Sequence, residues 1–191
     1  MELAMGLITG VALSAACGFR VFVPLLGMSI AHMAGHLKMS EGFDWIGTWP
    51  ALATFGTASL VEVVAYYIPW LDNLLDTAAT PVAVVAGTIV AASQIVEVSP
   101  LLQWSLAAIA GGGVCGIIQG GTVALRAAST GATGGAGNFV VSTLEAVASL
   151  VVTVLAVVVP IFCIILVLLT CYKMLTAIAR LAARRRQRAA G

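Results

Sequence analysis

Four ionisable residues fall within or at the edge of apolar sequence, and they set what chemistry this chain can do. Arg20 lies in Ala15-Ala16-Cys17-Gly18-Phe19-Arg20-Val21-Phe22-Val23-Pro24. From Leu3 to Ala34 the only other side chain that can carry charge near neutral pH is His32. Glu62 and Glu145 interrupt two later apolar runs, and Arg126 closes another. An arginine in the bilayer centre costs at least roughly 2.5–3.5 kcal/mol on insertion scales. Such a residue therefore faces a partner, a cavity or a polar ligand. One reading is a set of buried ion pairs that fix helix register. The other is a polar path in which Arg20 and Arg126 bind negative charge while Glu62 and Glu145 orient them or carry protons. Gly18 and Pro24 bracket Arg20 and should break or kink its helix, which favours the second reading.

Other groupings are weaker. Arg126 precedes Ser129 to Asn138, STGATGGAGN, a glycine-rich loop, and Asn138 reads as the N-cap of the next helix. Backbone N–H groups at such a helix start favour anions, yet the Gly-Lys-Ser/Thr ending of a phosphate-binding loop is absent. The bland alternative is a flexible turn with Arg126 reaching the headgroups. Asp72 and Asp76 stand one helical turn apart as a candidate cation site, although a solvated interfacial face is the simpler account of them. His32 and His36 share a turn without a Cys or acidic ligand at metal spacing, so no zinc site is expected there, and no cofactor is expected. Cys17, Cys115, Cys163 and Cys171 all sit in apolar runs without a CxxC pair and read as small buried hydrophobes. No Ser–His–Asp set is visible.

The elements that must position these residues are transmembrane helices. The chain has 191 residues, 61% hydrophobic and 9% charged, where a soluble domain carries about 25% charged residues. A first span runs from about Leu3 to Ala34, longer than the ~20 residues of one crossing. It reads as two half-helices or one kinked, tilted helix. After the polar stretch Gly35 to Thr48, a second span runs from Pro50 to about Pro69, with Trp45, Trp49, Tyr66, Tyr67 and Trp70 as interfacial aromatics. Leu71 to Ala79 reads as a short surface segment, and Thr80-Pro81 as the cap and first residue of a third helix ending near Val98. Leu101 to Ala128 is a fourth span with closely spaced glycines, a face that could self-associate into a homo-oligomer or pack within the chain. Pro160 divides Phe139 to Tyr172 into two more. Five arginines crowd the last twelve residues. They read as a cytoplasmic anchor on anionic lipid rather than a nucleic-acid surface.

Ser59-Leu60-Val61-Glu62-Val63-Val64-Ala65 and Ser142-Thr143-Leu144-Glu145-Ala146-Val147-Ala148 match as S-x-x-E-x-V-A. Each lies in the second span of its half and follows a span that holds an arginine. Six spans then form two inverted three-helix halves, residues 1–98 and 101–180, with a basic tail at 181–191. Inverted repeats with broken helices and a midplane site are a common transporter plan. Six spans put both termini in the cytoplasm and Lys38 outside.

The stretches ALSAACGFRVFVPLL (Ala12 to Leu26), WPAL…LVEVVAYYIPWLDNLLD (Trp49 to Asp76), Thr80-Pro81 and ALRAASTGATGGAGN (Ala124 to Asn138) followed by S-x-x-E resemble the prokaryotic DUF4126 family. The resemblance spans nearly the whole chain. It implies a small bacterial integral membrane protein of the inner membrane and brings no catalytic residues with it. The expectation is an all-α, polytopic membrane protein. Its first candidate function is a small transporter or channel for an anionic solute or lipid headgroup, with Arg20, Glu62, Arg126, Glu145 and Asn138 along the path. An enzyme acting on a phosphorylated lipid through Asp72 and Asp76, and a non-catalytic scaffold, are the alternatives. A scaffold would pair its buried charges and leave no cavity.

Overall fold

The computed structural model describes residues 1–189, with the side chains of residues 69–78, 178 and 181–189 set aside. The described residues are helical with no β-strand. In chain order the helices are α1 (Glu2–Cys17), α2 (Phe22–Met33), a 3-10 turn (Asp44–Gly47), α3 (Trp49–Ala65), α4 (Pro69–Gln94), α5 (Pro100–Leu106), a π-helical segment (Ala107–Gly112), α6 (Gly113–Thr133), α7 (Asn138–Val158) and α8 (Pro160–Ala189). Residues 100–133, 138–158 and 160–177 are long and apolar enough to cross a bilayer. Large apolar side chains such as Leu144, Val151, Phe162 and Leu168 point outward. Outside a membrane that exposure would be untenable, and in lipid it is the expected surface. The chain is a membrane-embedded helical protein.

The first apolar stretch is broken where expected, but it does not cross as one interrupted helix. The start of α1 meets the end of α4, since a side chain at Gly6 would run into the Gln94 carbonyl. Further along, Ser14 donates to the Gly87 carbonyl at 2.6 Å. The segment after α2 returns to that same end, where the Ser40 amide donates to the Ser93 carbonyl at 2.8 Å. So α1 climbs, the chain turns at residues 18–21, and α2 descends. With 16 and 12 residues, at 1.5 Å rise each, these helices reach only about 24 and 18 Å. They form a re-entrant hairpin whose tip holds Arg20.

The remaining directions follow from contacts. α2 lies antiparallel to α3, with Glu62 at Val21 and Phe22 and Gly47 against His32. α2 runs parallel to α7, where a side chain at Gly27 would strike Thr153. Hence α3 and α7, which carry the two S-x-x-E stretches, run in opposite senses. Pro160 reverses the chain as expected, because Val159 ends α7 and α8 begins at once. Five helical traverses (α3, α4, α5–α6, α7, α8) plus the hairpin leave Met1 and Lys38 at one end and the C-terminal part of α8 at the other. This corrects the expectation of six crossings with both termini on one side.

Three boundaries also shift. Thr80-Pro81 lies inside α4 rather than opening it. Proline removes one hydrogen bond there, which a helix packed among others tolerates. The 71–79 stretch is therefore part of α4 rather than a separate surface segment. That helix stops at Gln94, short of Val98. The glycine-rich loop shrinks to a turn at residues 134–137, because α6 continues through Ser129 to Thr133. Gly134 and Gly135 take positive φ of 63° and 95° there, a region that favours glycine. Finally, Gly111 and Gly112 pack against Ala91 and Thr88 of α4, while a side chain added at Gly113 or Gly120 would meet open space.

Candidate functional site

The site forms where the hairpin tip meets α3, α6 and α7. Breaking a helix inside lipid orphans backbone groups at both new ends, and each needs a partner. At the end of α1, the Ala16 carbonyl accepts from the Arg20 amide at 3.1 Å and from Ser149 Oγ of α7 at 3.0 Å. At the start of α2, the Val21 and Phe22 amides donate to the two carboxylate oxygens of Glu62, at 2.7 and 3.0 Å. Glu62 thus occupies a helix N-terminus, the place where an anion is favoured. Gly18 permits the tight fit of the tip, since a Cβ there would lie 2.7 Å from the Cys115 carbonyl oxygen.

Arg20 is 1% exposed and is the largest fully buried side chain among the described residues. Its Nη2 donates to Ser142 Oγ at 2.7 Å and to the Ser142 carbonyl at 2.9 Å, and lies 3.4 Å from Glu145 Oε2. Its Nε and Nη1 are buried without a hydrogen-bond partner among the described residues. Arg126 is 3% exposed. Its Nε donates to Glu145 Oε1 at 3.0 Å, and its Nη2 donates to Oε2 of the same carboxylate. That two-point fork is the strong form of an Arg–carboxylate pair. Arg126 is therefore an interior residue, and the reading that placed it at the headgroups or on the glycine loop is corrected. Both guanidinium carbons lie over the Tyr66 ring, 3.9 Å for Arg20 and 4.2 Å for Arg126 from its centroid. These are cation–π distances.

Four of the predicted residues, Arg20, Glu62, Arg126 and Glu145, therefore converge. Asn138 lies one helical turn before Ser142 on α7. It stands in the first turn of α7 rather than as its cap, and its Nδ2 donates to Thr130 Oγ1 at 3.0 Å. It does belong to the same face, because Asn138, Ser142, Glu145, Ser149 and Thr153 are all buried along α7. Asp72 and Asp76 fall on α4, and their side chains lie outside the described residues. No group of three or more His, Cys, Asp or Glu residues able to hold a metal occurs among the described residues.

Sequence reasoning missed Tyr66 and Ser142 as members of the site. Tyr66 read as an interfacial aromatic, because its distance from Trp49 fits a span end. Ser142 and Ser149 were visible as spacings of three to four residues around Glu145, a polar stripe on one helix face. From Trp49 to Glu62, α3 rises about 20 Å of the roughly 30 Å hydrocarbon thickness. The cluster therefore sits toward the end of the bilayer where the 134–137 turn lies.

Beside the cluster opens a cleft of about 270 Å³ between α3 and α4, with Glu62 and Tyr66 in its lining. No curated protein and no solved structure matches this chain. A family model does, over residues 7–180, and the chain belongs to that family, described as a domain of unknown function, DUF4126.

Proposed function

We propose that this protein is a small transporter or channel whose cargo bears a phosphate-like anionic group, as a free solute or as a lipid headgroup. The observation that carries the reading is Arg20, a fully buried guanidinium whose Nε and Nη1 lack an acceptor among the described residues. A buried donor left unmade costs about 1–3 kcal/mol, more when charged. A fold tolerates that cost where a ligand completes the set. The second support is the pairing of a broken helix with Glu62. The carboxylate stands where a bound anion would stand, so the site already has the shape of an anion receptor.

The matching S-x-x-E stretches on antiparallel α3 and α7 fit an inverted repeat built around the site, with α1 as an addition to the first half. The basic tail would be cytoplasmic by the positive-inside rule. The site then lies toward the cytoplasmic face, and Met1 and Lys38 lie on the far side. In a bacterium this membrane is the inner one. A scaffold would fill its core and pair its charges. The fork between Arg126 and Glu145 fits a scaffold, but the open cleft and the N–H groups of Arg20 do not.

The test uses the full chain in phosphatidylcholine vesicles. One set encloses radiolabelled inorganic phosphate, and the other carries fluorescent phosphatidic acid in the membrane. Wild type should move at least one probe faster than empty vesicles, and Arg20→Lys, which keeps the charge but loses the fork of donors, should abolish the gain. Correctly folded, inserted wild type that moves neither probe overturns the reading.

A further inference from the structure

Beyond that reading, we propose that the cleft between α3 and α4 is a binding site for an amphiphilic amine in its ammonium form, with Glu62 as the counter-ion. The cleft holds about 270 Å³, just under the roughly 300–1,000 Å³ of small-molecule sites. It therefore suits a ligand smaller than a whole lipid. Among the described residues, Glu62 is the one charged group in its lining. Phe22, Val61, Ala65 and Val82 supply apolar wall around that carboxylate. Val61 is 61% and Val82 50% exposed, so the mouth opens on the surface that faces acyl chains. An amine with an apolar body concentrates in the bilayer and reaches the cleft from there.

Glu62 can take a further donor. Its Oε1 accepts from the Val21 amide at 2.7 Å and its Oε2 from the Phe22 amide at 3.0 Å. A carboxylate offers about four lone-pair sites, so each oxygen keeps one. The arginines do not fill them. Arg20 and Arg126 pair with Glu145, and neither lines the cleft. Glu62 is only partly buried, whereas Glu145 is closed in at 4% exposure. The Glu62 charge thus faces a cavity with low-dielectric walls, where Coulomb attraction is strong. An ammonium seated there gains a charge-assisted hydrogen bond, and its body gains the apolar wall. A neutral head would leave the wall alone to bind, and an anion would face the carboxylate and no arginine. The comparable cleft between α2 and α7, lined by Ile30, Leu150 and Val154, has the apolar wall without a carboxylate. Binding at Glu62 does not depend on what Arg20 receives, because Glu62 keeps its two amides while it holds the ammonium.

The experiment uses three ligands that share one phenylbutyl body: phenylbutylammonium, phenylbutanol and phenylbutanoate. Their binding to the full chain in detergent micelles is measured by equilibrium dialysis against protein-free micelles. The amine stays protonated at neutral pH, since an alkylammonium titrates at about 10.4. It should bind tighter than the alcohol by roughly tenfold or more, equivalent to about 1.4 kcal/mol, and the carboxylate should not bind measurably. Glu62→Gln should lower the ammonium to the affinity of the alcohol and leave the alcohol unchanged. Because Glu62→Gln also loosens α2, Val82→Trp is measured beside it. That variant fills the mouth from the α4 side and should weaken ammonium and alcohol alike by roughly tenfold. Val154→Trp, in the cleft between α2 and α7, should change neither. Equal affinity for the three heads would reduce the site to apolar partitioning and overturn the proposal. Tighter binding of the carboxylate would overturn it as well, as would ammonium binding undiminished in folded Glu62→Gln or in Val82→Trp. Folded wild type that fails to bind the ammonium would end it outright. None of these outcomes touches the anion reading, whose probes are phosphate and phosphatidic acid.

Discussion

Glu145 holds two arginines, and the geometry says it does not hold them equally. Arg126 meets it through two donors, Nε at 3.0 Å and Nη2. Arg20 approaches one oxygen at 3.4 Å and spends its short hydrogen bonds on Ser142 instead. A hydrogen bond to a charged group contributes about 1.5–3 kcal/mol, so the fork is worth roughly 3–5 kcal/mol, in line with the cost of breaking a buried pair. The Arg20 contact should be nearer 1 kcal/mol. Glu145→Gln should therefore destabilise by about 3–5 kcal/mol, because it leaves a buried guanidinium facing a neutral amide. The measurement is a double-mutant cycle with Arg126→Gln and, separately, Arg20→Gln, each read by denaturant unfolding in detergent micelles. The expected result is a coupling energy at least twice as large for Arg126–Glu145 as for Arg20–Glu145. Equal couplings, or a larger one for Arg20, would refute the assignment of Glu145 as chiefly the partner of Arg126.

Two further outcomes follow from the hairpin. Glu62→Gln removes the charge that caps α2 and leaves at most one good acceptor for two amides. It should cost about 1–2 kcal/mol of stability and speed hydrogen exchange at Val21 and Phe22 selectively. Uniform exchange across α2 would mean that Glu62 is not its cap. Single cysteines at Lys38 and beside Met1 should react with an impermeant reagent from one side of the membrane, and a cysteine in the 134–137 turn from the other. Labelling of Lys38 and Met1 from opposite sides would rule out the re-entrant path.

Much of the site was legible because charge in apolar sequence is costly, so Arg20, Glu62, Arg126 and Glu145 announce themselves before any fold is known. Their convergence was also legible, since few partners exist at similar depth. The direction of α2 was not. Gly18 and Pro24 mark a break, yet a break followed by a straight continuation and one followed by a reversal leave the same local signal. What decides between them is the docking of Gly6 and Ser40 on the far end of α4, contacts that no spacing within residues 3–34 encodes. The place of Arg126 was misread for a related reason. A ten-residue run rich in glycine suggests a loop, but its first half, Ser129 to Thr133, extends α6 and carries Arg126 inward. Thr80-Pro81 likewise has the form of a helix start, and only its neighbours keep the helix continuous through it.

The groups that mend the broken helix are also the groups that make the site. Ser149 holds the end of α1, Glu62 holds the start of α2, and Ser142 holds Arg20 at the turn between them. A polar group buried in lipid must be satisfied, so the hairpin tip can persist only while α3 and α7 stay docked against it. On the transport reading, an anion arriving at Arg20 would compete directly with this arrangement, because its charge would repel the Glu62 carboxylate from the α2 amides. If Glu62 then left, the tip would lose two hydrogen bonds, which the anion's oxygens could replace. Occupancy and hairpin position are then two readings of one equilibrium. The ligand shifts that equilibrium by no more than its difference in affinity between the two states. A site made instead from side chains on unbroken helices could bind an anion as tightly, but binding would leave the helices where they were.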